Sequence, residues 1–288
     1  EVDELTRTVM LYVESFKQGR RFFESARRLS RKKPIVLLKG GQTQAGNRAA
    51  SSHTGAMASD SRLFDAACRQ AGIVKVDQPM ELLDLSAAFS SLPLPGGNRM
   101  AIMTLGGGWG VVTADLCDQF GLEVPELPPE LIDSIDAILP PYWSRSNPID
   151  LVGERDLSIP MTVMEALLGW EGCDAVINLG IFGRRLFLKR LAESVHRADP
   201  SYSRKSLDDT VKLFSDFEND YVERIVTLMK KYDKPVYGVS LLTDEKAATV
   251  YRVKGFDLKA VFYETPERAV KTAARMAEYQ RYRLRHTP

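Results

Sequence analysis

Lys33-Pro34-Ile35-Val36-Leu37-Leu38-Lys39-Gly40-Gly41 is the stretch that decides how this chain of 288 residues folds. From Pro34 to Leu38 the apolar side chains occupy successive positions rather than alternate ones. That is the pattern of a parallel strand buried on both faces, and such a strand needs parallel neighbours and helices on each side. The flanking sequence supplies them. Residues 8–13 read as a strand and residues 19–31 as a helix with Phe22, Phe23, Ala26 and Leu29 on one stripe. Downstream, residues 61–71 and 79–90 read as helices around a third strand, Ile73-Val74-Lys75-Val76. The segment Leu92-Pro93-Leu94-Pro95-Gly96-Gly97 stops the pattern and marks an interdomain linker.

A second alternation begins with Met100-Ala101-Ile102-Met103-Thr104, the glycine turn Gly106-Gly107-Gly108-Trp109-Gly110, and a helix through Cys117 and Phe120. Strand, glycines and helix form a phosphate-site arrangement, because backbone N–H groups at a helix start face an anion. Glycines at a tight strand-to-helix turn also have a purely conformational reading, and the Gly-Lys-Ser/Thr ending of a Walker loop is absent. Further strands are expected at 175–179, 235–239 and 260–262, a long amphipathic helix at 207–232 and a closing helix at 266–283. The expected fold is therefore α/β in two domains, residues 1–95 and 96–288, each with a mainly parallel sheet. The first sheet shows three strands where a flavodoxin-like sheet has about five. Either upstream residues supply the others or another chain covers the open edge.

Composition narrows the function. Lys and Arg total 39 against 38 Asp and Glu, a net charge of +1, so no basic face points to nucleic acid or an anionic membrane. Cys68, Cys117 and Cys173 are odd in number, widely spaced and set in apolar surroundings, which reads as buried thiols rather than disulfides or a zinc site. No apolar run reaches membrane-span length, and a soluble, cytoplasmic protein is expected. No spacing of His, Cys, Asp and Glu suggests a metal site.

The remaining chemistry gathers at Ser51-Ser52-His53-Thr54-Gly55-Ala56. One of only three histidines lies among small, hydroxylated and flexible residues, where a large anion can reach the imidazole. Phosphoryl transfer through a ring nitrogen is the sharp reading, and a solvent-exposed loop histidine is the plain one. Ser51, Ser52 and Thr54 serve either as donors to phosphate oxygens or as stabilisers of the loop.

The whole run from Lys33 through His53 to Ala56 resembles the phosphohistidine region of the NDP-forming acyl-CoA synthetases, which include the ADP-forming acetyl-CoA synthetases and succinyl-CoA synthetase. Leu11-Tyr12-Val13-Glu14, Gly106–Gly110, Ser146-Asn147-Pro148-Ile149-Asp150-Leu151 and Tyr263-Glu264-Thr265-Pro266-Glu267-Arg268-Ala269 are similar to the same family in the same order. The stretch 183–207 has no clear counterpart, and Trp109 departs from the small residue or proline usual there.

This resemblance implies two flavodoxin-like, three-layer CoA-ligase domains, the first lacking its opening strands and a serine/glycine turn. It implies the reaction acyl-CoA + ADP + phosphate ⇌ acid + CoA + ATP, with His53 carrying the phosphoryl group and Glu14 orienting it. Gly55 and the Gly106–Gly110 turn with Trp109 would help to bind phosphate. CoA, ATP or ADP, phosphate and Mg2+ would serve the complete enzyme. A CoA-binding domain and an ATP-grasp domain would be partners on the same or separate chains, in a homo- or hetero-oligomer, and this chain alone would be inactive. The alternative is a non-catalytic, ligand-sensing module of the kind fused to acetyltransferases. Retention of both His53 and Glu14 favours the enzyme.

Overall fold

A computed structural model describes residues 2–54, 61–153, 156–244 and 247–286, and at residues 53 and 54 the backbone alone. The chain divides into two compact units, Glu1–Ser90 with Arg275–Pro288, and Ser91–Ala274. Chain order alone assigns residues 275–288 to the second domain. The end of the last helix instead packs with the first unit, because Tyr279 donates its hydroxyl to the Ser30 carbonyl at 2.8 Å. The Tyr282 ring also fills the space where a Cβ on Gly72 would stand, and Gly72 has φ +69°.

The first unit runs β1 (Val9–Val13), α1 (Gly19–Leu29), β2 (Ile35–Lys39), α2 (Gln44–Thr54), α3 (Ser61–Ala71), β3 (Ile73–Val76) and α4 (Pro79–Phe89). Its sheet is parallel, in the order β1-β2-β3, with Val9 opposite Ile35 and Ile35 opposite Ile73. Ile35, Val36 and Leu37 are buried, as a two-sided apolar strand requires. On one face Ile35 and Leu37 join Ala26, Phe64, Cys68 and Ala71, with Phe16, Phe22 and Phe23 packed against them. The loop expected over residues 51–56 is helical through Thr54, and residues 55 and 56 lie outside the described residues. Ala45, Ala49 and Ala50 favour helix, no proline interrupts them, and Thr43 caps the start by accepting the Gly46 N–H at 3.1 Å.

The second unit runs β4 (Met100–Thr104), α5 (Gly107–Gln119), α6 (Pro129–Asp136), β5 (Ile149–Asp150), α7 (Ile159–Gly169), β6 (Ala175–Leu179), α8 (Arg184–Ala198), α9 (Arg204–Tyr232), β7 (Val236–Val239), β8 (Val250–Arg252) and β9 (Lys259–Tyr263), and then enters α10 (Pro266–His286). The sheet order is β5-β4-β6-β7-β9-β8, with only β8 antiparallel. Counted in chain order, the five parallel strands stand 2-1-3-4-5, the flavodoxin-like arrangement, whose ligand crevice lies at the carboxyl ends of the first and third strands. Here those are β4 and β6. Every residue of β4, β6 and β7 is buried.

The stretch without a counterpart in the resemblance forms α8 and leads into α9. The buried Glu218 on α9 accepts the Arg185 N–H at 2.9 Å and thereby caps α8. Burial pushes its carboxyl above the usual range, against the pull of the backbone donors and Arg185. The three cysteines are free and buried, and burial pushes the thiols of Cys68 and Cys117 up to about 12 and that of Cys173 to about 11. No helix among the described residues is long and apolar enough to cross a membrane.

Candidate functional site

In the first unit, Glu14 follows directly on β1 at the carboxyl end of the sheet. Tyr12 stands two residues earlier, on the same face of the strand, and its hydroxyl donates to Glu14 Oε1 at 3.1 Å. This bond is the main reason the Tyr12 phenol lies above its usual pKa. Lys39, opposite Val13 in the ladder and 7% exposed, extends its ammonium across both strand ends. Its Nζ donates to the Gly40 carbonyl at 2.7 Å and also to the Glu14 carbonyl. Burial lowers the Lys39 pKa, the charge of Glu14 opposes that, and Lys75 adds to it. The ammonium also lies 5.8 Å from the centre of the Phe64 ring.

The chain then turns into α2. Gly41 has φ +70°, and a Cβ there would stand 3.3 Å from the Ala50 Cβ and 3.4 Å from Asn47 Oδ1, so this turn packs directly on the helix. Ser51 and Ser52 are exposed on α2, and Ser52 donates back to the Arg48 carbonyl at 3.1 Å. The backbone of His53 and Thr54 forms the last turn of the helix, one turn beyond Ala50. Gly55 and the side chains of His53 and Thr54 lie outside what is described. The structure therefore gathers Tyr12, Glu14, Lys39 and Gly40 in one place and leads the histidine-bearing helix out of it. Tyr12 and Lys39 were not singled out in the sequence. The available signals were a tyrosine two residues before Glu14 and a lysine closing an otherwise apolar strand.

In the second unit the glycine turn opens α5 at the carboxyl end of β4, beside the crevice where the strand order reverses. Its four glycines divide into two kinds. A Cβ on Gly107 would stand 2.9 Å from Asp150 Oδ2, and one on Gly110 would stand 3.0 Å from the Pro148 Cβ and 3.2 Å from the Thr104 Cγ2. Packing requires these two. At Gly106 and Gly108 a Cβ would meet nothing within 4 Å, and neither has positive φ. Packing does not require these two, and the space beside them at the helix start is open. Thr104 secures the turn, accepting the Gly106 N–H at 3.1 Å and donating to the Gly106 carbonyl at 2.9 Å. Trp109 sits in the first helical turn, 37% exposed, with Val112 of the next turn also on the surface.

Asn147 and Asp150 of the Asn-Pro-Ile-Asp run hold this corner together. Asn147 Oδ1 accepts the Ile102 N–H at 2.9 Å, and its Nδ2 donates to the carbonyls of Met100 and Pro125, each at 3.0 Å. Asp150 Oδ1 accepts the Val152 N–H at 2.8 Å, ordering the loop. Its other oxygen sits over Gly107, where a carboxylate suits the positive end of the α5 dipole. Among the described residues no group of three or more His, Cys, Asp and Glu could hold a metal ion.

Comparison with known proteins agrees with this layout. Residues 1–89 match the family described as "Succinyl-CoA ligase like flavodoxin domain", and residues 100–180 match the "Ligase-CoA domain". The chain is 42% identical over 146 residues to the Acetate–CoA ligase [ADP-forming] II subunit alpha of Pyrococcus furiosus, covering 51% of this chain and 32% of that one. It is 34% identical over 239 residues to the Acetate–CoA ligase [ADP-forming] II of Archaeoglobus fulgidus, covering 82% of this chain and 30% of the relative. The dinucleotide-forming acetyl-coenzyme A synthetase 1 of Ca. Korarchaeum cryptofilum, solved in complex with phosphate and ADP, superposes with a TM-score of 0.75 at 27% identity. That alignment covers 100% of this chain and 56% of the other. The chain spans between about a fifth and a third of the length of the curated relatives it matches.

Proposed function

We propose, since this chain belongs to the superfamily of ADP-forming acyl-CoA synthetases and succinyl-CoA synthetase-like proteins built on CoA-ligase flavodoxin-like domains, that it is the phosphohistidine-bearing portion of an NDP-forming acyl-CoA synthetase. The complete enzyme would interconvert acyl-CoA, ADP and phosphate with the free acid, CoA and ATP. Phosphate first displaces CoA from the thioester to give an acyl phosphate, the His53 ring nitrogen then takes its phosphoryl group and releases the acid, and ADP takes the group from the histidine. Glu14 holds the imidazole in the tautomer that leaves the attacking nitrogen its lone pair. The start of α5 around Gly108, at the positive end of that helix, would bind a phosphate group. Ser51, Ser52, Thr54 and Gly55 would help to bind the phosphate oxygens, as their small and hydroxylated character suits.

CoA, nucleotide, phosphate and Mg2+ enter as participants in the complete reaction. The partners are a CoA-binding domain and an ATP-grasp domain or subunit, in a homo- or hetero-oligomer working in the cytoplasm. The observation that carries this reading is the placement of Glu14 at the carboxyl end of β1, beside the glycine turn that leads into the histidine-bearing helix.

The test is intact-mass analysis after incubation with the complementary domains, a nucleoside triphosphate and Mg2+. One acid-labile phosphoryl adduct is expected, absent in His53→Ala and formed more slowly in Glu14→Gln. An adduct that persists in His53→Ala refutes the assignment.

A further inference from the structure

Glu14 is the first residue past a strand end, half-buried, on a side chain with three rotatable bonds. Left alone, such a carboxylate samples several rotamers, and ordering it costs entropy. Three neighbours act on it, one on the carboxylate, one on the backbone and one by leaving space. Tyr12 donates its hydroxyl to Glu14 Oε1 at 3.1 Å. Lys39 donates to the backbone carbonyl of Glu14 and, at 2.7 Å, to that of Gly40, so one ammonium ties the end of β1 to the start of the glycine turn. Gly40 supplies room: a Cβ there would stand 2.6 Å from the Tyr12 hydroxyl oxygen and 3.3 Å from Glu14 Cγ.

Burying Lys39 at 7% exposure carries a desolvation cost, and the two carbonyls and the Phe64 ring offset it. A lysine serving only as core would not direct both of its donor contacts to the flanks of one carboxylate-bearing turn. Lys75 is near enough to depress the Lys39 pKa, and Lys75 itself pairs with Asp65 at 2.7 Å and Asp77 at 3.7 Å.

We propose that Tyr12 and Lys39 are positioning residues for the Glu14 carboxylate, Tyr12 through its side chain and Lys39 through the backbone, with Gly40 as the space they need. The proposal deepens the phosphohistidine reading and rests on it for its consequence in catalysis, while its geometry is measurable separately. Tyr12 is 61% exposed, so Tyr12→Phe removes one hydrogen bond without opening the core.

Two readouts decide the matter. In the chain itself, carbon-detected NMR titration of the Glu14 carboxyl should show its pKa rising by about half a unit in Tyr12→Phe, because the ionised form loses a donor. In the assembled enzyme, the acid limb of the phosphorylation rate against pH should move up by the same amount. Lys39→Met should lower the plateau rate by about tenfold, with partial rescue in Lys39→Arg, which keeps a cationic donor. Gly40→Ala and Tyr12→Phe should be non-additive, since both break the same contact.

An unmoved Glu14 titration in Tyr12→Phe, or fully additive effects of the Tyr12 and Gly40 variants, overturns the proposal. A shifted titration in an enzyme that never gains a phosphoryl group sinks the phosphohistidine reading and leaves the positioning intact. A phosphorylated wild type with an unmoved titration does the reverse.

Discussion

Replacing Asn147 by alanine should unfold the second unit at much lower denaturant without any chemical step being involved. β5 is only two residues long and pairs with Met103 and Thr104, so it cannot complete the outer side of β4. Asn147 does so in its place, through one bond to the Ile102 N–H and one to the Met100 carbonyl, with a third to Pro125. Ile102 and Met100 are both buried, so their backbone groups have little water to turn to. At about 1 kcal/mol net for each lost hydrogen bond, and with Asn147 itself half-buried, the loss is about 2–3 kcal/mol. With a urea slope of about 2 kcal/mol/M for a unit of this size, the midpoint falls by about 1–1.5 M.

The assay is unusually clean. The three tryptophans, Trp109, Trp143 and Trp170, all lie in the second unit, so tryptophan fluorescence reports its unfolding alone. Asn147→Asp keeps the acceptor for Ile102 but loses both donors and places a carboxylate beside two carbonyl oxygens, so it should be at least as damaging. A midpoint shift below about 0.3 M at unchanged slope would refute the argument.

Three further outcomes follow from the geometry. Gly108→Ala should leave the second unit as stable as before or up to about 1 kcal/mol more so, since it fills open space in a helix. It should nevertheless slow phosphoryl transfer, and an unchanged rate would remove the α5 start from the mechanism. Gly110→Ala should instead destabilise, by about 1–3 kcal/mol in thermal unfolding, because its Cβ is forced onto Pro148 and Thr104; a neutral result would contradict the packing. Asp174 is pushed up by burial, but the hydrogen bonds from the Arg99 side chain and N–H outweigh this and hold its carboxyl below the usual range. Its stabilising contribution is therefore present above the unfolded value of about 3.9 and lost as pH falls through the lower folded value. Urea midpoints should drop more steeply between about pH 4 and 2 in wild type than in Asp174→Asn, and parallel curves would exclude the linkage.

The fold was largely legible in the chain because its strongest signals are local. Two-sided apolar runs such as 34–38 and 100–104 admit few alternatives to buried parallel strands, and the glycines and prolines between them mark the turns. What local pattern could not supply was pairing. Residues 149–150 and 250–252 form strands too short for periodicity to reveal, and they exist because β4 and β9 offer them an edge. The helical state of residues 44–54 was likewise masked, since glycines and serines read as loop until capping by Thr43 and packing on Gly41 select the helix.

The site divides along the same line. Residue type and spacing alone singled out His53 and the Gly106–Gly110 turn as candidates for phosphate chemistry, and Glu14 joined them through the resemblance to the family. Only the tertiary structure separated Gly107 and Gly110, required by packing, from Gly106 and Gly108, which leave the helix start open. It alone turned Asn147 from a motif residue into the missing edge of β4, and joined Tyr12 to Lys39 around Glu14. The physical reason is distance along the chain. Tyr12 and Lys39 are 27 positions apart in sequence and meet only because β1 and β2 lie side by side in parallel register, with Val13 opposite Lys39.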